Sequence, residues 1–174
     1  VSNIKSKDME LIRRGNERVL AARLSDAAFY FEKDKALRFE GLIEGLRGVI
    51  FQERLGSLHE KTERISGLSI YLADIIGNVP IEKVKRAAQL CKVDLLTGVV
   101  REFPKLQGVM GREYALIHGE EADVARAIDE HYLPRFAGDS IPPSGIGAIV
   151  SVADKMDTLV GCFGVGLIPS GSED

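Results

Sequence analysis

Apolar residues recur every three or four positions along most of the chain, which is the spacing of one face of an α-helix. The clearest stripe consists of Ile65, Leu68, Leu72, Ile75 and Ile76. Ser57 and Glu60, just before this stripe, have the spacing of a capping box, and Gly77-Asn78 after it is a helix stop signal. The pattern therefore predicts a capped helix between Ser57 and Gly77.

The same spacing predicts two helices before this one. The first covers residues 8–35, with Asp8 as its N-cap and a break at Gly15-Asn16. Its inward stripe consists of Leu20, Leu24, Ala27, Ala28 and Phe31. A short amphipathic helix over residues 37–49 follows it.

Four more helices are predicted after Gly77. Pro80 suits the first turn of a long one, which Pro104 stops. The stripe of that helix consists of Val84, Ala87, Ala88, Cys91, Leu95 and Val99. Two short helices fit residues 106–117 and 123–131, and a last one fits residues 146–164. The inward residues of the last helix are Ile149, Val150, Ala153, Val160 and Phe163.

Residues 133–145, before the last helix, are rich in Pro and Gly and are predicted to form a loop. The sequence shows no strand alternation, no repeat and no low-complexity run. We therefore predict an all-α helical bundle that forms one domain over residues 1–174. Its two ends, residues 1–8 and 167–174, are predicted to be linkers.

Composition and charge narrow the function classes. Aromatic residues make up only 6% and Trp is absent, so a stacking platform for single-stranded nucleic acid is not expected. A net charge of −3 argues against a global basic field, although a local basic patch stays possible. The sequence has no signal-peptide pattern and no apolar run long enough to span a bilayer. Cys91 and Cys162 lie on apolar stripes, which indicates buried, reduced thiols and a cytoplasmic location.

Few residues offer metal or acid–base chemistry. Of three His, only His59 has the position of a helix-borne ligand, and an exposed histidine without that role is the alternative. Asp154 lies in the apolar last helix, where it is either a metal ligand or a tie between helices. Asp94 is expected to pair with a basic group or with backbone donors. Cys91 has no evident His partner and is expected to be core rather than a nucleophile.

Basic residues cluster in two places. The first helix carries Arg13, Arg14, Arg18 and Arg23, and the helix after Pro80 begins with Lys83, Lys85 and Arg86. Charges at helical spacing are either a solvated face or contacts to a nucleic-acid backbone. The sequence leaves both interpretations open at this point.

Five long blocks stand in order along nearly the whole chain. They are GNERVLAARLSDAAFYFEKD, FQERLGSLHEKTERI, KVDLLTGVVREFPKLQGVMGREYA, VARAIDEHYLPRFAGD and ADKMDTLVGCFGVGLIPSGSED. Together they closely resemble the β subunit of the bacterial two-subunit glycyl-tRNA synthetase. The resemblance implies an interior segment of that subunit, which in the family continues upstream and, downstream, into an anticodon-binding region.

In that family, this segment is similar to a degenerate member of the HD metal-phosphohydrolase fold. The resemblance places the former ligand positions at His59, Cys91, Lys92 and Asp154, where Cys91-Lys92 replaces the His-Asp pair of that fold. A lysine repels a divalent ion, so we expect no bound metal and no catalytic residue. Without a metal, Asp154 is expected to pair with Lys92, Arg64 or Thr62.

The family joins glycine to its tRNA with ATP and Mg²⁺, and adenylate formation belongs to the separate α subunit. The resemblance therefore implies a non-catalytic, cofactor-free segment that binds tRNA(Gly) and makes the seven clustered basic residues candidates for that contact. The implied partners are the α subunit, tRNA(Gly) and the remainder of the β subunit, with no membrane. Two alternatives stay open: a residual metal-dependent phosphohydrolase, and a purely structural helical spacer.

Overall fold

A computed structural model describes residues 9–167 of the chain. The predicted linker at 1–8, the Asp8 cap and most of the predicted C-terminal linker lie outside the described residues. Within residues 9–167 the helices are α1 Met9–Asp34, α2 Phe39–Gly45, α3 Leu58–Ile76, α4 Ile81–Leu90, α5 Gly98–Glu102, α6 Val109–Ile117, α7 Ala122–Glu130 and α8 Gly145–Gly164. Short 3₁₀ turns cover Leu46–Gly48, Val93–Leu96 and Pro104–Leu106.

The core lies where α3, α4, α7 and α8 pack on one another, with α6 against α7. Ile65, Val84, Ile128 and Val150 are completely buried there. The predicted all-α class is confirmed, and the stretch 133–145 contains no helix or strand before α8 begins. The assignment to the HD type stays a prediction.

A small hairpin before α3 was not predicted. Its strands, β1 Ile50–Gln52 and β2 Gly56–Ser57, pair antiparallel, with Ile50 opposite Ser57. Strands of two and three residues are too short to show the alternation by which a strand is recognised. Ser57 then caps α3, and the predicted capping box with Glu60 is present.

The predicted break in the first helix is wrong, because α1 continues through Gly15-Asn16. One glycine within a helix costs only about 1 kcal/mol, which a long helix tolerates. The inward stripe is also wrong at Leu20, Leu24 and Ala28, which are exposed. Only the end of α1 reaches the core, where Tyr30 and Phe31 are partly buried.

The predicted inward stripes of α3 and α8 are correct near one end of each helix and wrong near the other. Ile75 and Ile76 of α3 and Val160 and Phe163 of α8 are exposed. The buried residues of α3 stop at Ala73, and those of α8 run only from Ile146 to Ala153. Both helices therefore extend beyond the elements that cover them.

The predicted long helix between Pro80 and Pro104 is wrong, since α4 ends at Leu90 and α5 begins only at Gly98. Asp94 explains the break. Its buried carboxylate accepts hydrogen bonds from the backbone N–H of Gly108, at 2.6 Å, and of Gly111, at 3.1 Å. These groups start α6, so Asp94 caps that helix from a distance. The expectation that Asp94 finds backbone donors is confirmed.

Asp34, the last residue of α1, caps α5 in the same way. Its carboxylate accepts hydrogen bonds from the backbone N–H of Gly98, at 2.8 Å, and of Val99, at 2.9 Å. The hydroxyl of Tyr114 in α6 donates to the same carboxylate, at 2.9 Å. One buried side chain therefore ties α1 to α5 and α6, and the sequence analysis did not identify it.

We predict that Asp34→Ala lowers the free energy of unfolding by about 2–4 kcal/mol, because it leaves two backbone donors and a buried hydroxyl unpaired. Urea unfolding measures the change. Asp26→Ala, which removes an exposed acid of the same helix, is the matched control and should have little effect. Equal losses in the two variants would contradict the capping role.

A second prediction concerns pH. Burial raises the pKa of Asp94 to about 6 from its ordinary 3.8, while backbone donors and Lys92 oppose that rise. Between pH 3.8 and about 6, the folded chain thus holds a proton at the Asp94 carboxyl that the unfolded chain has released. This contribution to stability is complete below pH 3.8 and is lost as the pH rises through about 6.

Asp94→Asn keeps an acceptor for Gly108 and cannot ionise. Relative to the original chain, it should gain stability between about pH 4 and pH 7, by roughly 1.4 kcal/mol for each unit of pKa shift. Urea unfolding across this range tests the prediction. A stability difference that does not change with pH would show that Asp94 does not titrate in this window.

Candidate functional site

Asp154, which the resemblance predicts to be a former ligand position, lies in a cluster of buried charges. Its Oδ2 accepts a hydrogen bond from Nζ of Lys92, at 2.7 Å, and its Oδ1 lies 2.9 Å from Nζ of Lys61. Asp154 comes from α8, Lys61 from α3, and Lys92 from the turn after α4. Both lysines are buried. The cluster therefore joins three parts of the bundle through ion pairs.

Oδ1 of Asp154 receives no aligned hydrogen bond from Lys61 despite the short distance. Lys61 donates instead to Oδ2 of Asp157, at 3.0 Å, and to the Thr158 hydroxyl, at 2.7 Å. Asp157 also pairs with Arg64, at 2.6 Å. The contact from Lys61 to Asp154 is thus electrostatic, while Lys92 supplies the hydrogen bond.

His131, at the end of α7, completes the cluster and is fully buried. Its Nδ1 lies 2.6 Å from the Ile128 carbonyl, which only accepts, so Nδ1 carries the proton. Its Nε2 lies 2.8 Å from Nζ of Lys92 and accepts from that ammonium. Burial and the charge of Lys92 hold the pKa of His131 well below its usual range. The imidazole is therefore neutral at pH 7.

The cluster keeps Asp154 ionised. Burial alone would raise the pKa of this carboxyl, but Lys92 and Lys61 hold it well below its ordinary value. The rings of Tyr132 and Phe51 lie over the two ammonium groups, with Lys92 Nζ 4.2 Å from the Tyr132 ring centre and Lys61 Nζ 4.4 Å from that of Phe51. The two cations are thus stabilised by carboxylates and by ring faces.

The structure brings only two of the four degenerate HD positions together, Lys92 and Asp154. Cys91 is completely buried, and its thiol donates to the Ala88 carbonyl at 3.1 Å. Burial raises the pKa of this thiol to about 12, so it is not a thiolate at neutral pH. His59 is also buried, and it lines a cavity of about 530 Å³ together with Thr62 and Arg86.

The residues present do not fit a divalent metal ion. The carboxylate of Asp154 is already paired with Lys92 and Lys61, which would repel a cation at that position. Within residues 9–167, no three His, Cys, Asp or Glu side chains lie together as a metal site requires. The described residues therefore offer no arrangement for metal-dependent hydrolysis.

The expected pairing of Asp154 with Lys92 is confirmed, whereas the other two suggested partners are wrong. Arg64 pairs with Asp157, and the Thr62 hydroxyl donates to the His59 carbonyl. Lys61 and His131 were missed. Lys61 follows the buried Leu58 by three positions on α3, and His131 follows the buried Ile128 by three positions on α7. Their places on apolar stripes were the available signal.

The two cysteines differ in exposure. Both thiols are free, as expected. Cys91 is buried as predicted, but Cys162 is only half-buried, because it lies on the part of α8 that extends beyond the core. Among the described residues, no helix is both long and apolar enough to cross a membrane.

The basic candidates of α1 are exposed, and most have acidic neighbours. Arg13 and Arg14 pair with Glu10, at 2.7 and 3.3 Å. Arg23 pairs with Glu102, at 3.0 Å. Arg18 has no carboxylate partner within residues 9–167. Arg18 is therefore the member of this cluster whose charge is least compensated.

The basic candidates of α4 face a group of acids at the start of α7. Lys83 pairs with Glu121, at 2.7 Å, and also lies near Asp123. Arg86 holds both carboxylate oxygens of Glu120, its Nε lying 3.0 and 3.1 Å from them. Lys85 is exposed and has no acidic partner among the described residues. The second cluster is thus largely neutralised except at Lys85.

The charge cluster makes a prediction about stability. Asp154→Ala leaves the buried ammonium of Lys92 without a carboxylate, while Lys61 keeps Asp157, and should cost about 3–5 kcal/mol. Lys92→Met should cost less, because Lys61 still offsets Asp154. The double variant should lose less than the sum of the two, since the residues are directly coupled. Urea unfolding at neutral pH gives the full cycle. Small, strictly additive losses would contradict the coupling.

Comparison with known proteins gives the family. The family model described as glycyl-tRNA synthetase beta subunit matches residues 1–174. The chain is 54% identical over 174 residues to the glycine–tRNA ligase beta subunit of Geobacter sulfurreducens, and 55% identical to that of Geobacter metallireducens. A third relative, from Trichlorobacter lovleyi, is 53% identical.

Each of these matches covers 100% of the chain but only 25% of the relative. The chain therefore spans about a quarter of the length of the curated relatives that it matches. Because the family model covers every residue of the chain, the resemblance found in the sequence blocks is confirmed at the level of the family. The chain belongs to the glycyl-tRNA synthetase β-subunit family.

Proposed function

We propose that this segment is a non-catalytic, tRNA-binding part of a glycine–tRNA ligase β subunit. In this proposal it contacts tRNA(Gly) and supports the α subunit and the remainder of the β subunit. Glycyl-adenylate formation, with its ATP and Mg²⁺, takes place on the α subunit in the cytoplasm. The observation that carries the proposal is the match of the whole chain to the β-subunit family.

The geometry of the charge cluster supports the non-catalytic part of the proposal. Hydrolysis at an HD-type site needs a metal, and two lysines occupy the surroundings of the one carboxylate that could help to hold it. Cys91 keeps its proton and His131 is neutral and hydrogen-bonded on both nitrogens. These groups stabilise the bundle, and no free nucleophile or base remains among them.

Binding to tRNA needs a local set of uncompensated cations rather than a basic chain. The pairing pattern divides the seven candidates into two groups. Arg18 and Lys85 have no acidic partner in the described part of the chain. The others form ion pairs with nearby acids and are Arg13, Arg14, Arg23, Lys83 and Arg86. We infer that the two uncompensated residues, Arg18 and Lys85, contribute most to contacts with the tRNA phosphates.

We predict that Arg18→Ala and Lys85→Ala weaken tRNA(Gly) binding by the full-length β subunit. Each lost phosphate contact should reduce the slope of log K against log salt by about one unit. Lys83→Ala should have a smaller effect, because Glu121 and Asp123 already compensate its charge. Filter binding at several salt concentrations measures both quantities.

Arg47→Ala is the control, since Arg47 is an exposed cation outside both clusters whose charge Glu44 compensates. It should leave the tRNA affinity and the salt slope unchanged. Glycyl-adenylate formation by the α subunit should be nearly the same in all variants. An unaltered tRNA affinity after both clusters are neutralised would rule out this surface and favour the purely structural spacer.

A further inference from the structure

From Val152 onward, α8 carries an apolar stripe that the bundle leaves exposed. Its members are Val152, Met156, Leu159, Val160 and Phe163. At 100° per residue, these positions fall within an arc of about 100° on one side of the helix. Single exposed apolar residues are ordinary, but a stripe of this width and length is what a helix presents to a docking partner.

The stripe borders a groove between α3 and α8. This α3–α8 groove has a volume of about 580 Å³, and its apolar lining comes from Leu55, Leu68, Met156 and Val160. The turn of the hairpin packs closely on α8 at this groove, because a Cβ on Gly161 would lie 3.0 Å from Cδ1 of Leu55. The groove is therefore a formed apolar surface that two helices and the hairpin hold in place.

The polar edge of the groove is fixed by bonds within the chain. Arg64 pairs with Asp157, at 2.6 Å, and Nη1 of Arg54 donates to the Val165 carbonyl, at 2.6 Å. Arg54 has no carboxylate partner within residues 9–167, so its charge remains for an acid on whatever occupies the groove. The groove thus fits an amphipathic segment with one apolar face and an acidic flank.

We propose that another part of the same β-subunit polypeptide occupies the α3–α8 groove through such an amphipathic segment. The proposal rests on the proposed function only in that the segment belongs to a longer β subunit. In the relatives, about three quarters of the polypeptide lies outside the matching region. A tethered segment has a high effective concentration, so it is favoured over a second copy or a separate subunit.

Oxidation of methionine by dilute hydrogen peroxide tests the proposal, because accessible methionine forms sulfoxide. The chain has three methionines with different exposures: Met9 is 68% exposed, Met156 44% and Met110 9%. In the full-length β subunit without the α subunit, we expect Met156 to react several-fold more slowly than in a Val160→Lys variant. The lysine places a charge in the groove and should release the occupant.

The comparison has one internal standard, Met110, and one control variant, Ile141→Lys. Met110 should stay slow in every sample, which shows that the bundle is folded, and Val160→Ser replaces Val160→Lys if Met110 becomes reactive. Ile141→Lys introduces the same charge at a position that is 77% exposed in the loop 133–145. This control should leave Met156 protected.

Equally fast oxidation of Met156 in the original chain and in Val160→Lys would overturn the proposal. Protection that requires the α subunit, or that rises with β-subunit concentration, would overturn it too, because the occupant would then be the other subunit or a second copy. Binding of tRNA(Gly) by the same samples separates the two proposals. An accessible Met156 with intact tRNA binding contradicts the groove proposal alone, and a protected Met156 without tRNA binding contradicts the proposed function alone.

Discussion

The carboxylate of Asp154 lies between the ammonium groups of Lys61 and Lys92, and these three side chains come from separate parts of the bundle. A buried ion pair of this kind adds little net stability over an apolar core, but losing one member leaves an uncompensated charge. The arrangement therefore fixes which helices meet and in what register. The neutral His131, which accepts from Lys92, extends the same constraint to α7.

The same cluster explains how a buried carboxylate stays ionised. Two ammonium groups supply, next to Asp154, the positive charge that its ionised form requires. Two further carboxylates act as structural ties, since Asp34 caps α5 and Asp94 caps α6 through buried hydrogen bonds. These two buried acids thus position helix ends.

The helical class and the capping box at Ser57 could be predicted because both depend on local spacing in the sequence. The pairing of Asp154 with Lys92 followed from the family resemblance, in which Cys91-Lys92 replaces the His-Asp pair. The helix prediction failed where the hydrogen bonds of one buried side chain interrupt a helix that apolar spacing alone would continue. The stripe through Cys91, Leu95 and Val99 continues across Asp94, yet the bonds from that carboxylate to α6 interrupt the helix. Apolar spacing places Lys61 on the inward face of α3, but a lysine is rarely buried, so it was missed.

The exposed ends of α3 and α8 were likewise misread, because spacing shows that a face is apolar but not which element covers it. The same holds for Arg23, Lys83 and Arg86, whose acidic partners lie far away in the sequence and become visible only in three dimensions. For Lys83 and Arg86 these partners follow about 35 to 40 residues later in the chain. A charge cluster in a sequence is thus a weak guide to a charged surface.

The long sequence separation within the Asp154 cluster has a consequence for synthesis on the ribosome. Lys61 precedes its partner Asp157 by 96 residues, and Lys92 precedes Asp154 by 62. Contacts between distant residues form late, because a long loop must close before they contribute. As the chain emerges from its N-terminal end, neither lysine can meet its carboxylate partner until α8 has left the ribosome. The bundle consequently completes its core only when its last helix is available.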